Sequence, residues 1–212
     1  MLTGKSYNIT ANGTSTDHLL VVIDTAGTYN FSSLAIDQTL TKGLAGIAVS
    51  STAAVATTVT LTSGADTITT GAAVNTVTGG LGKDVMTSGG TDTFVIASGD
   101  SGKTSATTDA IVSFATTADK LSLGVAGTAL NFAVLDTNTG ATDQIATVEA
   151  ALGLLNTAGT LNKTVMYAYV TDTDSGVDSY LFVDANLDGT ADYALEITGI
   201  ATAGVVYADI IA

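Results

Sequence analysis

The chain contains no cysteine, no proline and no tryptophan. Without cysteine there is no disulfide framework and no thiol chemistry, although secretion stays open. Without proline, turn-making falls to glycine and short polar side chains. Charged residues are scarce at 12%, against about a quarter in ordinary proteins. Only 6 residues are Lys or Arg, which argues against nucleic acid or an anionic membrane as partner. Long apolar runs are missing too. "HLLVVI" is far too short to span a bilayer, and the opening "MLTGKSYNIT" lacks the apolar core of a signal peptide. His18 is the single histidine. Asp17 lies beside it, but no nucleophile stands out among the many Ser and Thr, so catalysis is not expected.

What is present is an apolar fraction of 46% over 212 residues, enough to bury the core of one large domain or two small ones. The net charge of −14 comes from 20 acids, all Asp except Glu149 and Glu196. That bias places short carboxylates in turns, where they cap backbone groups or bind hard cations. Thr, Ala, Ser and Gly dominate the remainder, and Thr with Val favours strands.

Residues 61–95 contain a repeat. They divide into LTSGADTIT, TGAAVNTVT, GGLGKDVMT and SGGTDTFV. Asp66, Asn75, Asp84 and Asp92 keep one phase, and Ile68, Val77, Met86 and Phe94 follow them in the same phase. Two such units make one coil of a parallel β-helix or β-roll. Asp66 should then lie near Asp84 on one edge and Asn75 near Asp92 on the other, with the shorter last step absorbed in a turn. Gly64, Gly80, Gly82 and Gly90 permit the tight turns and the close approach of carbonyls. A cation between stacked turns would find carboxylates and carbonyl oxygens, the ligands calcium prefers. The competing reading is a solenoid whose Asp and Asn side chains satisfy their own turns without metal. Asn75 offers only a neutral oxygen, Ala73 replaces a turn glycine, and Lys83 sets a positive charge beside Asp84.

A second candidate is "DANLDGTAD". Asp184, Asn186, Asp188 and Asp192 supply oxygens, and Gly189 supplies the sharp bend, at the spacing of a helix-loop-helix calcium loop. The twelfth position is Leu195 rather than Glu, and the flanks read as strands, so a hairpin turn is the alternative. "TDTDSGVDS", with Asp172, Asp174 and Asp178, is a weaker relative.

Elsewhere, strands are expected at 18–24, 28–31, 55–62, 164–170, 179–184 and 193–200. Ile111, Phe114, Leu121 and Leu123 should face inward, and Tyr167 and Tyr169 read as packing residues. A helix is expected over 142–156, capped by Thr142 or Asp143, with Ile145, Val148, Leu152 and Leu155 as its apolar stripe.

The stretch "GGLGKDVMTSGGTDTFVI" resembles the glycine-aspartate nonapeptides of RTX, or haemolysin-type, calcium-binding proteins. "DAIVSFATTADKLSL" resembles the segment that closes such a roll, and brings Asp109 and Asp119 into the expected metal set. The ending "SYLFVDANLDGTADYALEITGI … DII" is similar to the carboxy-terminal region of RTX and bacterial surface-layer proteins. The resemblance implies an all-β-dominated fold: a right-handed parallel β-helix or β-roll over residues 1–124, and a smaller β-rich domain with one helix over 125–212. Residues 1–58 read as earlier, degenerate coils. It also implies Ca2+ as ligand, export by type I secretion machinery and an extracellular or cell-surface location. The expected function is a secreted structural protein that folds on binding calcium and self-assembles in a surface layer or matrix. Its partners would be further copies of itself and a cell-surface glycan. The alternatives are a calcium-dependent adhesin or binding module, for carbohydrate or ice, and the RTX tail of a larger secreted enzyme.

Overall fold

A computed structural model describes residues 7–8, 17–34, 44–51, 54–136, 147–171, 179–200 and 204–212. Alternation of apolar and polar residues, broken by Gly and Asp turns, yields a ladder of short strands. In order these are β1 (Tyr7–Asn8), β2 (Asp17–Ile23), β3 (Gly27–Asn30), β4 (Leu44–Ser51), β5 (Thr57–Thr60) and β6 (Thr67–Thr69). β7 (Val74–Thr78), β8 (Val85–Thr87), β9 (Thr91–Val95), β10 (Asp109–Val112) and β11 (Lys120–Ser122) follow. The chain then forms β12 (Phe132–Asp136), α1 (Val148–Ala158), β13 (Tyr167–Thr171), β14 (Ser179–Val183), β15 (Tyr193–Thr198) and β16 (Ile210–Ile211).

From β2 to β11 the chain steps back and forth between two sheets. One sheet runs β1-β2-β4-β6-β8-β10-β15-β14-β13-β12, and the other β16-β11-β9-β7-β5-β3. Pairing between successive coils is parallel throughout. This is the expected β-roll. Ile68 stacks on Met86, and Met86 on Ile111. On the facing sheet Val59, Val77, Phe94, Leu121 and Ile210 form one column. All of them are buried between the sheets, as are Phe114 and Leu123. Asn75 pairs with Asp92 in register, so the eight-residue step is taken up in the turn.

The carboxy-terminal part adds to both sheets. β15 lies parallel beside β10, and β16 parallel beside β11. β14 and β13 extend the first sheet as antiparallel neighbours, and β12 lies parallel to β13. α1 covers the outer face here. Val148, Ala151 and Leu155 join Ala168, Val170, Tyr180, Phe182 and Ala194 in a second apolar cluster. Strands β13 and β14 are therefore buried on both faces, whereas roll strands such as β7 and β9 alternate.

The helix departs from expectation at its start. Its N-cap is Thr147, whose hydroxyl accepts the Ala150 N–H at 3.2 Å; the expected caps Thr142 and Asp143 lie outside the described residues. Thr147 combines extended backbone with a capping oxygen, the two things a cap needs. The face turned to the sheet is Val148, Ala151 and Leu155, with Leu152 only partly buried; Ile145 lies outside the described residues. Gly159, with φ 62°, ends the helix in a left-handed cap. Among the described residues no helix is long and apolar enough to cross a membrane.

Candidate metal centre

On the first edge of the roll, Asp66, Asp84 and Asp109 form a ladder. Each reaches one coil back and accepts a backbone N–H. Ile47 donates to Asp66 Oδ1 at 2.6 Å, Asp66 to Asp84 Oδ1 at 2.8 Å, and Asp84 to Asp109 Oδ1 at 2.9 Å. All three carboxylates are buried. The second oxygen of Asp66 accepts the Thr62 N–H at 2.7 Å and the Thr62 hydroxyl at 2.8 Å. Asp84 Oδ2 and Asp109 Oδ2 are different: both are buried and accept no hydrogen bond.

Those two groups carry the electrostatic signature of that vacancy in bonding. Burial pushes Asp84 up to about 9, against the lowering effect of the Asp66 N–H, with repulsion from Asp109, Asp66 and Asp100 adding to the rise. Burial pushes Asp109 up to about 7, opposed by the Asp84 N–H; Asp100 raises it further and Lys83 lowers it. Lys83 itself donates to the Ser105 carbonyl at 2.6 Å.

Glycine is required where these turns stack. Gly80 and Gly82 have φ of +88° and +119°, and a Cβ at either would lie 2.4 Å from a carbonyl oxygen, of Thr62 and Gly64 respectively. Any side chain would close the space between turns 62–66 and 79–84. A hard cation fits this edge on its donor chemistry: two buried carboxylate oxygens lacking partners, beside turns that present carbonyls.

The second edge is bonded differently. Asn75 Oδ1 accepts the Thr57 N–H and hydroxyl at 3.2 and 2.8 Å. Asp92 Oδ2 accepts the Thr70 and Ser88 hydroxyls at 2.5 and 2.8 Å, and the Gly89 N–H at 3.3 Å. Its Oδ1 accepts from Asn75 Nδ2 at 2.7 Å. Asp119 accepts the Asp92 N–H at 2.8 Å and the Ala115 N–H at 2.8 Å. Gly90 packs where a Cβ would meet the Ala73 carbonyl oxygen at 2.3 Å.

The 184–192 loop is a hairpin between antiparallel β14 and β15. Buried Asp184 accepts the Asp188 and Gly189 N–H groups at 3.1 and 2.8 Å. Asn186 Oδ1 accepts from Asp188, Asp188 from Thr190, and Asp192 from Ala185. The Asn186 and Asp188 bonds are Asx turns, and those to Asp184 and Asp192 close the loop on itself. Asp172, Asp174 and Asp178 lie outside the described residues. Among the described residues no three His, Cys, Asp or Glu side chains converge on one point.

The model of the family described as Peptidase M10 serralysin C terminal matches residues 2–211. The chain belongs to this family. The family is the RTX β-roll region of serralysins, outside their catalytic domain, and such proteins are generally secreted or surface-associated. No curated protein matches the chain. As a member of this family, it has one further buried turn acid that lies outside the expected metal set. Buried Asp209 accepts the Thr117 N–H at 3.0 Å, the Lys120 ammonium at 3.2 Å and the Val206 N–H at 3.1 Å. A signal was available, because Ala65-Asp66, Ala118-Asp119 and Ala208-Asp209 each precede a strand.

Proposed function

We propose that the protein is a calcium-binding, secreted structural protein that folds as calcium binds and then assembles at a cell surface or in a matrix. The observation that carries the calcium part is the pair of buried, unpartnered oxygens on Asp84 and Asp109. Two carboxylates cannot both ionise there cheaply. Bound between the Gly80–Gly82 turn and its neighbours, calcium supplies the compensating charge. Asp84 and Asp109 then stay ionised and hold it, with turn carbonyls as further ligands. Because the coils exist only in the folded chain, the ion stabilises that state. Export without calcium and folding outside the cell follow, with type I machinery as the secretion partner. Residues 125–212 take the assembly or secretion role, and the lattice consists of further copies with a cell-surface glycan as anchor. The second reading, the tail of a larger secreted enzyme, is favoured by the family match, which is to the carboxy-terminal region of a peptidase.

The test is circular dichroism, melting and electron microscopy of the same protein in calcium and in chelator. With free calcium about 100-fold above Kd, the melting temperature should rise by roughly 5–10 °C. Ordered sheets or filaments should form only with calcium. Unchanged melting removes the calcium reading. A persistent monomer in both conditions removes assembly and leaves the tail reading.

A further inference from the structure

The amide nitrogen of Asn75 sits among oxygens. It donates to the carbonyls of Gly71 and Ala73 at 3.1 and 3.0 Å and to Asp92 Oδ1 at 2.7 Å. The orientation of the amide is forced. Thr57 N–H can only donate, so Oδ1 faces it, and the two carbonyls can only accept, so Nδ2 faces them. Asn75 is 1% exposed, and no water is needed to complete the set.

Two turn carbonyls and a carboxylate around one point are the donor types a calcium ion collects. Here that point is taken by a side-chain nitrogen carrying the partial positive charge of an NH2 group. The other oxygen of Asp92 is also spoken for, by Thr70, Ser88 and Gly89. The contrast with the first edge is direct, since Asp84 and Asp109 each keep one oxygen without a donor.

We propose that the Asn75 amide is a built-in substitute for a cation, so that the Asn75–Asp92 edge of the roll closes without metal. The calcium dependence of the molecule is then confined to the Asp84–Asp109 edge, a corollary that rests on the calcium reading above. The roll has one edge that is always closed and one that calcium closes.

The substitution Asn75→Asp tests this, because it turns the donor into an acceptor and leaves the oxygens around an uncompensated point. Calcium bound per chain is measured by equilibrium dialysis, and melting is followed in calcium and in chelator, for the parent and the variant. The variant should melt below the parent in chelator, bind one more calcium per chain, and recover most of the lost melting temperature in calcium. A variant that binds no additional calcium, folded or not, overturns the proposal. Asp92→Asn in the parent is the second arm. It should lower melting equally with and without calcium and leave the number of bound ions unchanged; a loss of one ion overturns the proposal. A parent that binds no calcium would remove the corollary, yet the gain in Asn75→Asp would still be read against it.

Discussion

Asp66, Asp84 and Asp109 have the same residue type, the same edge and the same backbone task, yet their second oxygens differ. Thr62 supplies two donors to Asp66, and nothing does so for Asp84 or Asp109. Burial holds the acids of that pair at about 9 and about 7, above the ordinary 3.8. A raised folded-state pKa means the folded chain binds protons more tightly than the unfolded one. The corresponding stability is fully present below about pH 4 and is lost as pH rises through 7 and then 9. In chelator, the melting temperature should therefore fall steadily from pH 5 to pH 8. Asp84→Asn should flatten that slope and remove most of the response to calcium. A slope equally steep in the variant would show that other acids set it. The positions of Asp66 and Asp84 were legible in the sequence, because Asp66, Asn75, Asp84 and Asp92 share a phase with the inward Ile68, Val77, Met86 and Phe94; Asp109 entered only through the family resemblance. Their partners were not. Thr57 and Thr70 lie a coil away from Asn75 and Asp92, and only the cross-coil register brings them together.

At the scale of elements, local signals ran out where several residues could do one job. Thr142, Asp143 and Thr147 all carry capping oxygens, and Thr147 is the residue that caps α1. The polar excursion at 97–108 ties the roll to the carboxy-terminal strands. Ser101 donates to the Ala194 carbonyl at 2.6 Å, Ala194 donates back to Gly102 at 3.0 Å, and Ser105 donates twice to Glu149 on α1. These contacts hold α1 over a face whose apolar cluster contains no residue of the Asp66–Asp84–Asp109 ladder. Leu155, 1% exposed, should accordingly cost about 2–5 kcal/mol when replaced by Ala. Urea denaturation should show the same loss with calcium and with chelator. A loss seen only in chelator would mean that the helix and the calcium edge are coupled.

For the whole molecule, the question is whether residues 1–124 and 125–212 stand apart. The interior says how they meet. Ile111, Phe114 and Leu121 of the roll share one apolar cluster with Tyr167, Leu181, Leu195, Ile197 and Ile210. β10 pairs with β15 over four residues, from Asp109↔Leu195 to Val112↔Thr198, and β11 pairs with β16. Ending the chain after Gly124 would leave both sheets with an open edge, and such edges pair with other chains. It would also remove Ile210 from the inner column and uncover Leu121. The full chain should unfold in one cooperative transition, because stacked coils stabilise one another through their shared interfaces. A protein of residues 1–124 should show no cooperative transition of its own and should aggregate, even in saturating calcium, as size-exclusion chromatography and calorimetry can record. A cation held on the Asp84–Asp109 edge would leave the exposed backbone of β10 and β11 unpaired, so it would not replace the missing strands. A sharp, reversible transition from the shorter chain would instead establish two independently folding units, with the pairing of β10 to β15 as a docking contact between them.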